Sequence, residues 1–174
     1  MRRHARAPAG ASDGLGTRPF DSAAPAPDLT PMIDELYSAK LLKLAGNMPR
    51  AGRLAAPQGS SEKIAKLCGS RVVVDVTVED GRVADFAQDV KACALGQATA
   101  SVLGSNVVGA SLEELETARR QLRAMLKDGA AAPDGRFADL ALLEPVKDYP
   151  ARHASTMLAF EAVTEAVRRA TGQD

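Results

Sequence analysis

From Arg71 to Glu79 the chain alternates, with Val72, Val74, Val76 and Val78 on one side and Val73, Asp75 and Thr77 on the other. β-Branched residues at period two fit a half-buried strand and not a helix. Asp80-Gly81 comes next. It is a two-residue hairpin signal, because the tight turn needs positive φ at both central positions. Val83 to Val90 then returns as the partner strand, and a weaker member at 62–67 completes a three-stranded antiparallel meander. Cys68-Gly69 falls in the turn between the first two strands, where glycine permits unusual backbone angles. Helical patterns follow the strands and do not alternate with them. The predicted fold class is therefore α+β: a three-stranded antiparallel sheet with helices packed on one face.

The helical signals are local. Thr30-Pro31 has the form of an N-cap followed by proline at the first helical position, with Ile33, Leu36, Tyr37, Leu41 and Leu44 on one face and Gly46 as the stop. That spacing predicts one amphipathic helix, followed by a turn-rich loop from Asn47 to Gly52. Small residues Ala98, Thr99, Ala100 and Ser101 among Val102, Leu103 and Val107 predict a closely packed helix from Gly96 to Val108. Ser111-Leu-Glu-Glu114 is a capping box, and the helix it opens turns Leu112, Leu115, Ala118, Leu122 and Met125 inward and Arg119, Arg120 and Arg123 outward. Asp128 to Gly135 is a loop, and Phe137 to Leu143 a short apolar segment. A last helix is expected from about Arg152 to Ala170, with Met157, Leu158, Ala162 and Val167 buried.

Ahead of these elements, residues 1–30 are rich in Ala, Pro, Gly and Arg without apolar periodicity, and cannot offset their own ordering entropy. They form an expected disordered tail before a domain at 31–172. Lys plus Arg and Asp plus Glu number 22 each, and the resulting zero net charge supplies no field to steer nucleic acid. No stretch approaches the roughly 20 apolar residues of a membrane span. Two cysteines cannot make a disulfide framework, so a soluble, cytoplasmic protein of a reducing compartment is expected.

Little else could carry chemistry. No phosphate-binding GxxxxGK[ST], strand-linked GxGxxG or G-x-S-x-G occurs, and the only histidines are His4 and His153. Cys93 stands where the alternating segment gives way to a helix, and a thiol there feels the positive end of the helix dipole. Its alternative is a small buried thiol, since free cysteine is among the most buried residue types. No CxxC is present, although zinc and iron-sulfur sites commonly take four soft ligands.

Four stretches together point further. They are Leu36-Tyr37 through Asn47-Met-Pro49-Arg50-Ala-Gly52; Cys68-Gly69-Ser70; Ala92-Cys93 followed by Ala98-Thr-Ala-Ser101; and Pro150-Ala-Arg152 opening the last helix. In this order the chain resembles the scaffold proteins of iron-sulfur cluster assembly, of the IscU and NifU N-terminal-domain type. The connection from Asp128 to Tyr149 is similar to the insertion of its SufU-like branch. The resemblance implies a domain that gathers three cysteines and an aspartate at one end for zinc or a nascent cluster. In that pattern Ser70 stands at the aspartate and Ser155 at the third cysteine, leaving Cys68 and Cys93. His153, two residues before Ser155, is the candidate replacement ligand, since imidazole suits both iron and zinc.

The resulting expectation is a non-enzymatic scaffold or carrier, a monomer or weak homodimer, that binds iron, an iron-sulfur cluster or zinc through Cys68, Cys93 and His153. Its expected partners are a cysteine desulfurase and downstream iron-sulfur acceptor proteins, with no nucleic acid and no membrane. The alternatives are a persulfide relay through one of the thiols, and a degenerate interaction module that binds no metal.

Overall fold

In a computed structural model that describes residues 37–173, the sheet is built from β1 (Gly59–Ala65), β2 (Ser70–Glu79) and β3 (Arg82–Lys91). The strands pair antiparallel in the order β1-β2-β3, with Ser61 opposite Val74 and Val74 opposite Gln88. The Asp80-Gly81 turn has φ of 49° and 73°, which is the left-handed pair that the hairpin signal requires. The expected tail at 1–30 and the Thr30-Pro31 cap lie outside the described residues.

The helices are α1 (Ala39–Ala45), α2 (Ala94–Asn106), α3 (Leu112–Asp128) and α4 (Pro150–Thr171), with 3-10 turns over Gly135–Asp148 that break at Phe137. The expected single helix from Pro31 through Leu44 is corrected at Ser38. That residue is extended, at ψ 153°, and its Oγ accepts the Leu41 N–H at 3.3 Å, so the first described helix starts there, inside the expected span. The capping box at Ser111 and Glu114 forms reciprocally. α4 starts at Pro150, with proline in the first helical turn, two residues before the expected position.

α4 lies across the sheet, flanked by α2 and α3, and the core forms where Val72, Val74, Val76 and Phe86 meet Leu95, Leu122, Phe160 and Val163. The approach is close enough to exclude a side chain at Gly59, where a Cβ would stand 1.9 Å from the Ala166 carbonyl oxygen.

The opposite sheet face is not left to solvent. Segment 50–52 runs along the free edge of β3, where Gln88 N–H donates to Arg50 O and Gly52 N–H donates to Gln88 O. The chain then crosses beneath the sheet to reach β1. On the way Arg53 Nε and Nη2 donate to Asp75 at 2.6 and 3.0 Å, and Leu54 N–H donates to it at 3.1 Å. Val73 and Asp75, on the side of the alternation away from the helices, are thereby buried as well. At the other end of β3, Gly109 and Ala110 bond the backbone of Val83, so both stretches of this edge are partly covered.

Candidate functional site

Three chain turns converge at one end of the sheet. The β1–β2 turn carries Cys68, the end of β3 leads to Cys93 as the N-cap of α2, and α4 begins at Pro150. Strand register enforces this meeting, because Arg71 at the start of β2 lies opposite Lys91 at the end of β3. Gly69, with φ of 70°, turns the chain sharply after Cys68, and its N–H donates to Ala65 O at 2.8 Å. Cys68 is exposed and Cys93 half-buried, and neither is in a disulfide.

Two buried hydroxyls stand behind the thiols. Ser70 Oγ lies 3.1 Å from Cys68 Sγ and accepts the Cys93 backbone N–H at 3.4 Å. One serine thus touches both cysteine residues. With the Cys93 N–H occupying a lone pair, the Ser70 hydroxyl proton is free to turn toward a Cys68 thiolate. Ser155 Oγ donates to Arg152 O at 3.0 Å and lies 3.5 Å from Cys93 Sγ. With its proton on that carbonyl, Ser155 Oγ keeps a lone pair on the side of Cys93.

The hydroxyl and backbone N–H of Ser70 hold the Cys68 thiol below its ordinary pKa, against the opposing effect of partial burial; Ser155 and the Arg152 charge act in the same direction as Ser70. The starts of α2 and α4 also direct their unpaired N–H groups toward this end. The result is an exposed thiol whose anion is stabilised, beside a second, more sheltered one. Gly96 permits the closure: a Cβ there would lie 2.8 Å from Ala92 Cβ and 3.1 Å from the Ser155 carbonyl oxygen. The first turn of α2 could not otherwise approach the first turn of α4.

His153 is not gathered into this arrangement. Its Nε2 lies 3.0 Å from Val146 O and 3.2 Å from Lys147 O, so that nitrogen carries the proton and closes the preceding 3-10 segment onto α4. Among the described residues no group of three or more His, Cys, Asp or Glu side chains is placed to hold a metal ion. Two thiols and two hydroxyls are what the chain itself brings together. The sequence marked Ser70 and Ser155 only as positions where ligands were missing. Ser70 meets Cys68 two residues away, but its link to Cys93 and that of Ser155 to Cys93 span 23 and 62 residues, and no local pattern announces those two.

Comparison with known proteins fits the geometry. A solved NifU-like N-terminal protein from Brucella abortus is 50% identical, covering 82% of this chain and 99% of its own, with a TM-score of 0.80. The iron-sulfur cluster assembly scaffold protein IscU of Thermotoga maritima is 27% identical over 134 residues, covering 77% of this chain and 94% of its own. The fold is shared with a putative SUF-system scaffold from Fervidobacterium islandicum AW-1, at a TM-score of 0.70 and 18% identity, over 77% of this chain and 98% of that one. Residues 36–167, from the first described helix through most of α4, match the NifU-like N terminal domain, and the chain belongs to that family.

Proposed function

We propose that this protein is a cytoplasmic, non-enzymatic scaffold or carrier for iron-sulfur cluster assembly. Its cargo is iron or a nascent cluster, alternatively zinc, held through Cys68 and Cys93. The observation that carries the reading is the meeting of both thiols at one end of the sheet, linked by Ser70. Thiolate is a soft ligand suited to iron-sulfur clusters and to zinc. The names of the Thermotoga and Fervidobacterium relatives support the same direction. Ser70 and Ser155 are weak ligands for such cargo, so the chain's own donor set is incomplete. His153 would join it only after releasing the Val146 and Lys147 carbonyls, and Cys68 and Cys93 bear the reading. The partners are a cysteine desulfurase, which supplies sulfur, and iron-sulfur acceptor proteins.

Anaerobic reconstitution with ferrous iron and sulfide, followed by visible absorption, tests this. The wild-type protein should develop a thiolate-to-iron band that Cys68→Ser and Cys93→Ser each abolish. A colourless wild-type protein overturns the iron and cluster reading, and absence of zinc binding by chelator competition overturns the alternative.

The exposure and stabilised anion of Cys68 favour a second reading, persulfide relay. The Cys68 thiolate would attack the outer sulfur of a desulfurase persulfide, forming a new S–S bond on Cys68. The bond between the two desulfurase sulfurs breaks, and the desulfurase cysteine leaves as thiolate. Intact-mass measurement after incubation with desulfurase and free cysteine should show one added sulfur on wild type and none on Cys68→Ser.

A further inference from the structure

A groove of about 450 Å³ lies between α3, α4 and the end of β1, within the range of sites for small molecules. Its floor is apolar, with Ala65 and Met157 both buried. Along its rim stand Arg123 and Lys127, one turn apart on α3, and Glu161 on α4. Elsewhere on the surface, Arg168 pairs with Glu116 and Arg71 with Glu62. The side chains of Arg123, Lys127 and Glu161 have no ion pair or hydrogen bond among the described residues. Two like charges at i,i+4 repel mildly, and here they do so across a concavity with a lone carboxylate on the facing helix. That pattern complements a zwitterion.

The groove also meets the thiol site. Cys68 Sγ is 4.0 Å from the carbonyl oxygen of Ala65, a residue of the groove wall. A tripeptide reaches about 10 Å when extended, so its thiol and its charged ends can engage separate groups. We propose that this groove binds a small thiol carrying both carboxylate and ammonium groups, a cysteine or cysteinyl peptide, with its sulfur beside Cys68. The carboxylate rests on Arg123 and Lys127, the ammonium on Glu161, and the chain lies over Met157. This inference rests on the scaffold reading: the guest thiolate supplies the cargo with a soft donor that Ser70 and Ser155 do not.

Metal-free protein titrated with S-methylglutathione and with S-methylcysteine, followed by calorimetry, tests the groove without metal or disulfide exchange. Saturable binding with a Kd below about 1 mM is expected, weakened about tenfold in Arg123→Ala/Lys127→Ala. Both residues are exposed, so the variant should keep its fold, which circular dichroism checks. Tighter binding of the tripeptide identifies a peptide guest, and equal binding identifies the free amino acid. No saturable binding of either probe, or unchanged affinity in the double variant, overturns the proposal. Reconstitution in buffer free of small thiols separates the two ideas. A Cys68- and Cys93-dependent chromophore without probe binding removes the groove proposal and keeps the scaffold. Probe binding with no chromophore, with or without glutathione, removes the scaffold reading and keeps the groove.

Discussion

Ser155 Oγ lies 3.5 Å from Cys93 Sγ, held there by its own bond to the Arg152 carbonyl in the first turn of α4. The position is 1% exposed, and a sulfur atom there would face Cys93 directly. Ser155→Cys should therefore raise zinc or ferrous-iron affinity by about tenfold, which is roughly 1.4 kcal/mol. The substitution adds little volume, so its stability cost should stay near 1 kcal/mol. Competition with a chromophoric chelator measures the affinity. An unchanged value would show that α4 does not present residue 155 to the cargo.

Ser70 serves the other thiol. Ser70→Ala removes the hydroxyl that contributes most to lowering the Cys68 pKa, while the Ser70 backbone N–H remains. The thiol pKa should rise, so the pH profile of Cys68 alkylation by iodoacetamide should move to higher pH. Cys93→Ser is the background for that measurement, so that one thiol is read at a time. A profile that does not move would locate the stabilisation of the anion elsewhere.

Helix α4 approaches the sheet closely at Gly59, where a Cβ would overlap the Ala166 carbonyl and stand 2.8 Å from Ala170 N. Neither atom belongs to a flexible side chain. Gly59→Ala should destabilise the domain by about 2 kcal/mol or more, because β1 must separate from α4. Urea denaturation would register the loss, and a midpoint equal to wild type would contradict the packing.

On the other face, burial works against ionisation of Asp75, but Arg53, Ser60 and the Leu54 N–H together outweigh it and hold the carboxyl below its ordinary value. A lowered folded pKa contributes stability that is present above the unfolded carboxylate value, about 3.9, and is lost as pH falls through the folded value. Arg53→Ala should lower stability at pH 7, because Asp75 loses its guanidinium partner, and move acid unfolding to higher pH. Asp75→Asn should flatten the acid limb of the stability profile. An acid limb identical to wild type in both variants would mean that Asp75 is not the group responsible.

The sheet, the Asp80-Gly81 hairpin, the Ser111–Glu114 cap and the buried stripes of α3 and α4 were all legible in the amino-acid order, because each depends on neighbours within a few residues. Side-chain period, capping hydroxyls and turn glycines act locally. The order of the short motifs around Cys68, Cys93 and Pro150 also carried the family. Where local signals competed, the pattern alone was insufficient. The apolar spacing through Ile33 and Leu44 predicted one helix, and the Ser38 hydroxyl caps a helix start inside that span. Asp75 sits on the alternating face that periodicity assigns to solvent, yet a segment some 21 residues earlier crosses over to bury it.

The thiol site shows the same division. Composition and motif order pointed to Cys68 and Cys93 as the residues with chemistry to offer. Only the tertiary structure decided that Ser70 bridges them, that Ser155 faces Cys93, and that His153 turns its Nε2 to the carbonyls of Val146 and Lys147. A hydrogen bond needs its atoms placed within a few tenths of an ångström. Strand register and the packing of two helix starts set that placement, and neither is written in the spacing of the residues along the chain.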